Sequence, residues 1–274
     1  MFSRRGFLAT AVQASDGGLF EDAQAYERFM GRWSRLVAGP FLDFVRIEKG
    51  AGVLDVGSGT GALAAAIAAR IRGCSVIGID PSKAYVAYAN SRLKDSHVRF
   101  ETGDAQSLRY ANASFDAAVS LLVFNFIPNP SKALVELRRV VRTEGVIGAA
   151  VWDYSEAMQM LRIFWDAAVA LDPAAERLDE KHMPLCRKGE LRDLWKGGGL
   201  AAVLEKGIEV PARFRTFDDF WEPFLLGQGP AGAYVKSLPA GNCSALKEEL
   251  HRRLPKAPFT LRARVWAVRG LAPR

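Results

Sequence analysis

The stretch Val53-Leu-Asp-Val-Gly-Ser-Gly-Thr-Gly61 sets an apolar run against an acid and three glycines spaced two apart, Gly57, Gly59 and Gly61. Val53, Leu54 and Val56 suit a strand buried on both faces, as in a parallel sheet. Glycines at the turn let the backbone bend sharply and approach a ligand that a Cβ would push away. The alanine-rich run Ala62 to Arg70 then begins a helix whose first N–H groups point toward that ligand. Strand, glycine loop and helix in this order make the nucleotide-binding corner of a doubly wound α/β sheet.

The loop alone leaves two cofactor classes open, because Gly57, Gly59 and Ala62 also satisfy the dinucleotide fingerprint G-x-G-x-x-G/A. Val76 to Asp80, V-I-G-I-D, is a second buried strand ending in a carboxylate 19 residues after Gly61, placed to accept both hydroxyls of an adenosine ribose. That fits either class. The third element discriminates: Val98 to Phe100 reads as a strand, and Gly103-Asp104-Ala105 behind it sets a carboxylate where it can accept from an adenine amino group. Asp55, two residues before Gly57, is the fourth element.

An acid before the three glycines, an acid ending the second strand and Gly-Asp-Ala after the third together resemble the class I S-adenosylmethionine-dependent methyltransferases. Phe115 to Leu122, F-D-A-A-V-S-L-L, is similar to that family's fourth strand, and Pro130 to Gly145 to its following helix and turn, with R-T-E-G in place of the usual K-P-G-G. Within the family the chain most resembles the small-molecule methyltransferases related to the quinone-biosynthesis C-methyltransferases. Their N-terminal helix often carries a segment like Tyr26-Glu-Arg-Phe-Met-Gly-Arg-Trp-Ser34. The resemblance covers residues 50–151 in detail and 152–274 in general layout. It implies a Rossmann-like, seven-stranded, mainly parallel sheet with an antiparallel last strand, an N-terminal helical cap over residues 20–45 and a lid after the fifth strand, all in one domain spanning 1–274.

Length and composition agree with one elaborated domain: 274 residues, 49% of them apolar, can bury a sizeable core. Cys74, Cys186 and Cys243 lie far apart without paired spacing, so neither a disulfide framework nor a metal site is expected, and a reduced cytoplasm is the default. The most apolar stretch, Phe115 to Phe126, already contains Asp116 and Asn125 and is too short to span a membrane. Ser3-Arg-Arg-Gly-Phe-Leu8 resembles a twin-arginine export signal, but the apolar segment behind it includes Thr10 and Gln13 and stops at Asp16, so a basic N-terminus is the preferred reading. Net charge is +1 over residues 1–50, −1 over 51–186 and +7 over 187–274. A basic C-terminal third can attract nucleic acid, yet a solvated surface is the favoured reading.

Glu21 to Val45 carries Tyr26, Phe29, Trp33, Leu36 and Val37 at helical spacing and should form one or two amphipathic helices. Strands are expected at Gly52–Val56, Ser75–Asp80, His97–Glu101, Phe115–Ser120 and Gly145–Trp152, with crossover helices near Gly61–Ile71, Ser82–Leu93 and Ser131–Arg142, capped by Ser82 and Ser131. After Trp152 the pattern predicts a helix over Glu156–Leu171, a polar lid over Asp172–Lys188, a helix over Glu190–Lys196, a sixth strand over Ala201–Val210, three short helices and a final strand over Phe259–Val268. A closing strand pair of this kind belongs to the methyltransferase layout and is not predicted by a simple dehydrogenase domain.

Methyl transfer from a sulfonium is an in-line displacement that asks chiefly for positioning and exclusion of water, and positioning alone contributes up to roughly 7 to 11 kcal/mol in model systems. A base is needed only when the acceptor must lose a proton. The resemblance places Gly57, Ser58, Gly59 and Gly61 against the methionine part of S-adenosylmethionine, Asp55 at its amino group, Asp80 on the ribose, Asp104 with Ala105 at the adenine, and Leu121 beside the cofactor through backbone atoms. The product would be S-adenosylhomocysteine. On the acceptor side the candidates are Tyr26, Asp153, Tyr154 and His182, with His182 the one histidine placed to act as a base; Arg32 is positioned to meet the cofactor carboxylate. The expected acceptor is a small organic molecule. Two rivals stand beside it: an RNA methyltransferase, and an NAD-dependent oxidoreductase using the same glycine loop.

Overall fold

The computed structural model describes residues 22–273. The arginine pair near the N-terminus and the first two residues of the expected cap lie outside them.

Each α/β crossover forms where its local signals are. The buried strand β1 (Gly52–Val56) feeds the glycine loop, helix α3 (Ala62–Arg70) follows, and β2 (Ser75–Asp80) runs parallel to β1. Ser82 caps α4 (Lys83–Arg92) by accepting from the Tyr85 amide at 3.3 Å, and β3 (Val98–Thr102) closes that side of the sheet. On the other side lie β4 (Phe115–Leu121), helix α5 (Pro130–Val140) and β5 (Val141–Trp152). The cap of α5 is Asn129, whose side chain accepts from the Lys132 amide, because Pro130 occupies the first helical position and moves the expected Ser131 inside.

The second half supplies α6 (Gln159–Leu171), two 3₁₀ turns (Pro173–Leu178 and Glu180–His182), α7 (Glu190–Gly197), β6 (Ala201–Phe214), α8 (Phe217–Leu225), α9 (Gly229–Ser237), α10 (Ala240–Arg253) and β7 (Phe259–Leu271). The strand order is β3-β2-β1-β4-β5-β7-β6. The pairs from β3 through β5 are parallel, while β7 runs antiparallel to both β5 and β6. That is the expected seven-stranded sheet. The insertion of β7 between β5 and β6 departs from the 3-2-1-4-5-6 order of the dinucleotide fold, which removes the structural basis for the dehydrogenase rival.

Two strands are longer than expected. β5 starts at Val141 because Val141 pairs with Phe115 before the register jumps to Val146 opposite Ala117, so the polar Arg142-Thr-Glu-Gly145 is a bulge inside a strand. β6 continues past Val210 to Phe214, and its Pro211 is tolerated because β6 is an edge strand paired only with β7.

The N-terminal cap is one continuous rod of three parts: α1 (Ala23–Tyr26), a π-helical turn (Glu27–Gly31) and α2 (Arg32–Val45). Phe29, Trp33 and Val37 face the core as expected, whereas Leu36 is 39% exposed. The single π turn shifts the helical phase just ahead of Leu36. Trp33 packs edge-on to Trp152 at 6.2 Å and beside Phe214, and Phe29 meets Phe224, which stacks on Phe164 at 4.5 Å. The cap is thereby fastened to the second half of the chain. Among the described residues no helix is long and apolar enough to cross a membrane.

Candidate active site

The strand order reverses between β1 and β4, and there, at the carboxyl ends of the strands, lies a small cavity. Its walls are Asp55, the Gly57–Thr60 loop, Ala62 and Leu63 at the start of α3, Leu121 at the end of β4, and Tyr26 and Ser34 from the cap.

The glycines are there for backbone reasons. Gly57 has φ +70°, and a Cβ on it would stand 2.5 Å from both methyls of Val123; Gly61 has φ +90° and would meet Phe100 Cζ at 2.9 Å. The loop uses most of its own amides. Gly57 and Ser58 donate to the Ile79 carbonyl at 2.8 and 2.9 Å, Gly61 donates to the Ser58 carbonyl, and Gly59 donates to Asp80 Oδ2 at 3.0 Å. What these four residues offer a ligand is therefore close approach, with few free donors.

The acids differ in how far their capacity is used. Asp55 is 1% exposed, and neither of its oxygens makes a hydrogen bond of good geometry, the Ala64 amide at the start of α3 facing it only loosely. Burial pushes its carboxyl up to about 7; the nearby Ala64 amide opposes the rise and the charge of Asp80 adds to it. Asp80 accepts one amide on each oxygen, from Gly59 and from Ser82, and burial raises its carboxyl against the pull of those two amides. One lone pair per oxygen remains, enough for two hydroxyls. Asp104 stands in an exposed turn, where its Oδ1 accepts from the Gln106 amide at 2.8 Å and from Gln106 Nε2 at 3.3 Å; half-buried Ala105 follows it. Ser58 Oγ is buried and unpartnered at the cavity wall.

Cap residues that sequence patterning did not single out complete the mouth. Glu27, in the π turn, accepts from Thr60 Oγ1 at 2.5 Å and pairs with Arg35, tying the cap to the glycine loop. π turns occur frequently at functional sites. Ser34 lines the cavity beside Tyr26, whose phenol is held above its ordinary range by burial.

The acceptor-side candidates separate. Tyr26 reaches the cavity. Asp153 is buried against Arg264, which donates to its Oδ2 at 2.6 and 2.9 Å, so it fastens β7 to the end of β5. Tyr154 is buried and does not line the cavity, with its phenol pushed well up by burial. His182 is exposed and lies 3.3 Å from Glu176. Arg32 does not line the cavity: it pairs with Asp219 of α8 and lies over Phe214 at 4.7 Å. Many cations of the basic third are likewise engaged, Arg192 with Asp193, Lys247 with Asp218, and Arg252 and Arg253 with Glu249. The three cysteines are unpaired, and among the described residues no cluster of His, Cys, Asp and Glu is placed to hold a metal.

Residues 54–149 match the family model described as a methyltransferase domain. That stretch is similar to a methyltransferase domain. Among curated relatives, the demethylmenaquinone methyltransferase of Renibacterium salmoninarum is 33% identical over 123 residues, which is 45% of this chain and 48% of that protein. The malonyl-[acyl-carrier protein] O-methyltransferase of Geobacter sulfurreducens is 31% identical over 172 residues, 60% of this chain and 63% of that one. The chain thus spans between about half and three fifths of the length of these relatives. The solved YcgJ protein of Bacillus subtilis has the same fold, with a TM-score of 0.58 at 18% identity, covering 89% of this chain and 99% of that chain. The matched stretch runs from β1 into β5 and includes most of the cavity wall.

Proposed function

We propose that this protein transfers a methyl group from S-adenosylmethionine to a small organic acceptor. The observation that carries the reading is Asp55: a buried carboxyl with no well-formed hydrogen bond, in a cavity walled by a glycine loop at the switch point of a stretch similar to a methyltransferase domain. A fold does not bury such a group for stability; it fits a ligand that brings an ammonium. In this reading Asp55 holds the amino group of the donor's methionine part, Gly57, Ser58, Gly59 and Gly61 let that part lie against the backbone, and Leu121 flanks it. Asp80 accepts the ribose hydroxyls, and Asp104 with Ala105 sits at the adenine. When bound, the donor supplies an electrophilic methyl carbon. The protein's own part is to orient it and, with Tyr26, Ser34 and the Glu27–Thr60 bond, to keep water out.

The small-molecule reading is supported by relatives named for small acceptors and by the ion pairs that occupy the basic third. A cytoplasmic location belongs to the same reading and is supported by the unpaired cysteines. The test is calorimetric titration with S-adenosylhomocysteine and, separately, NAD, each repeated on Asp80→Ala. Homocysteine-analogue binding that the substitution weakens, with no response to NAD, is expected; NAD binding alone would overturn the proposal.

A further inference from the structure

The turn behind β3 is exposed at Asp104, yet it is tied down on every side. Gly59, on the cavity wall, donates its amide to Asp80 Oδ2 at 3.0 Å, and Gly103 donates to the Asp80 carbonyl at 3.1 Å. Two hydrogen bonds through Asp80 thus connect the cavity to the residue before Asp104. Asp104 and Ser107 pair across the turn, the Ser107 amide donating to the Asp104 carbonyl at 3.1 Å. Past Ser107 the chain is clamped to α5. The Leu108 amide donates to Glu136 Oε2 at 2.8 Å, and Arg139 donates to the Leu108 and Tyr110 carbonyls at 2.9 and 2.7 Å.

Gln106 makes the remaining tie with its side chain. Its Oε1 accepts from the amide of Asn129, the cap residue of α5, at 3.1 Å, and its Nε2 donates to Asp104 Oδ1 at 3.3 Å. These partners leave one orientation of the side-chain amide, because a backbone N–H only donates and a carboxylate only accepts. Asp104 Oδ1 also takes the Gln106 main-chain amide at 2.8 Å, while Oδ2 has no partner among the described residues. An aspartate in a turn needs only that main-chain amide two residues on. The second bond comes from a side chain itself held at α5, and what it adds is orientation of the carboxylate.

We infer that Gln106 is a positioning residue that sets the base specificity of the methyl donor. By holding Asp104 Oδ1 it keeps Oδ2 for the exocyclic amino group of adenine. The inference rests on the donor reading above, in which Asp104 sits at the adenine. A 6-oxo purine carries an acceptor where adenine carries a donor, and its hydrogen lies on the ring nitrogen beside it. A carboxylate free to turn can follow that hydrogen. One held through Gln106 and Asn129 instead meets the oxo oxygen, an acceptor facing an acceptor.

The test is calorimetry of the full chain with S-adenosylhomocysteine and its 6-oxo counterpart, S-inosylhomocysteine, on wild type, Gln106→Met and Gln106→Glu. Methionine removes both side-chain bonds at similar length; glutamate keeps an acceptor for Asn129 but brings no hydrogen to Asp104. Wild type should prefer the adenine compound by about 30-fold. In both variants the preference should fall about tenfold, and in Gln106→Met about half of that change, on a logarithmic scale, should come from tighter binding of the inosine compound. Thermal unfolding should show both variants folded, since the substitutions lie in a turn that Glu136 and Arg139 still hold. Equal weakening of the two compounds would assign Gln106 a merely structural role, and a preference kept in Gln106→Glu would assign its effect to Asn129. Either result, or a wild type that binds both compounds alike, would overturn the inference while binding of S-adenosylhomocysteine leaves the donor reading standing. Failure of wild type to bind S-adenosylhomocysteine would overturn both.

Discussion

Asp55 sets ligand binding against stability at a single side chain. Its carboxyl is held up to about 7, so the folded protein binds a proton there between the ordinary carboxylate range and neutrality that the unfolded chain does not. Stability from this group is therefore present at low pH and lost as pH rises through about 7, by an amount on the order of a few kcal/mol. Asp55→Asn should raise the melting temperature clearly at pH 8 and by much less at pH 5, and weaken S-adenosylhomocysteine binding; thermal unfolding and calorimetry at both pH values check this. In wild type, analogue affinity should be about tenfold lower at pH 6 than at pH 8, because a proton must leave before the ammonium can pair. A fall in affinity toward high pH would exclude Asp55 as the partner. At Gly57, Ala should destabilise by at least about 1–2 kcal/mol from the left-handed backbone alone, with the Val123 clash added. These residues were legible in the sequence because turn chemistry and strand-end acids are local. Glu27 was not: its bond to Thr60 joins two elements that are distant in sequence and arises from packing.

The sheet could be read strand by strand, since buried parallel strands are continuous apolar runs bounded by glycine, proline and acids. Elements went astray where tertiary pairing overrode composition. The polar Arg142-Thr-Glu-Gly145 looks like a turn, yet the bulge opposite Phe115 and Ala117 keeps it within β5. The π turn at Glu27–Gly31 left no separate mark in the apolar spacing beyond the misplaced Leu36. Its consequence is mechanical. With Glu27 bonded to Thr60, the cap cannot lift without breaking a cross-element contact. Thr60→Val should speed both association and dissociation of S-adenosylhomocysteine in stopped-flow fluorescence, with a smaller change in affinity. Slower association would show that Thr60 serves the ligand directly and not the closure.

Across the whole molecule, cap and second half are held by one aromatic cluster in which Phe224 touches Phe29, Phe164, Phe220 and Trp221. Phe224→Ala should cost about 3–5 kcal/mol, read by denaturant unfolding, and should expose the cap to proteolysis before the sheet. Unfolding of cap and sheet together would mean that they form one cooperative unit. The position of β7 has a further effect, on the order of events during synthesis. β6 leaves the ribosome before β7, the strand that gives it its place in the sheet, and the free edge of β5 waits for that same strand. The acceptor-side half therefore has no way to assemble residue by residue as it emerges. It must be completed in one late step, when the chain beyond Phe259 arrives and joins both neighbours at once.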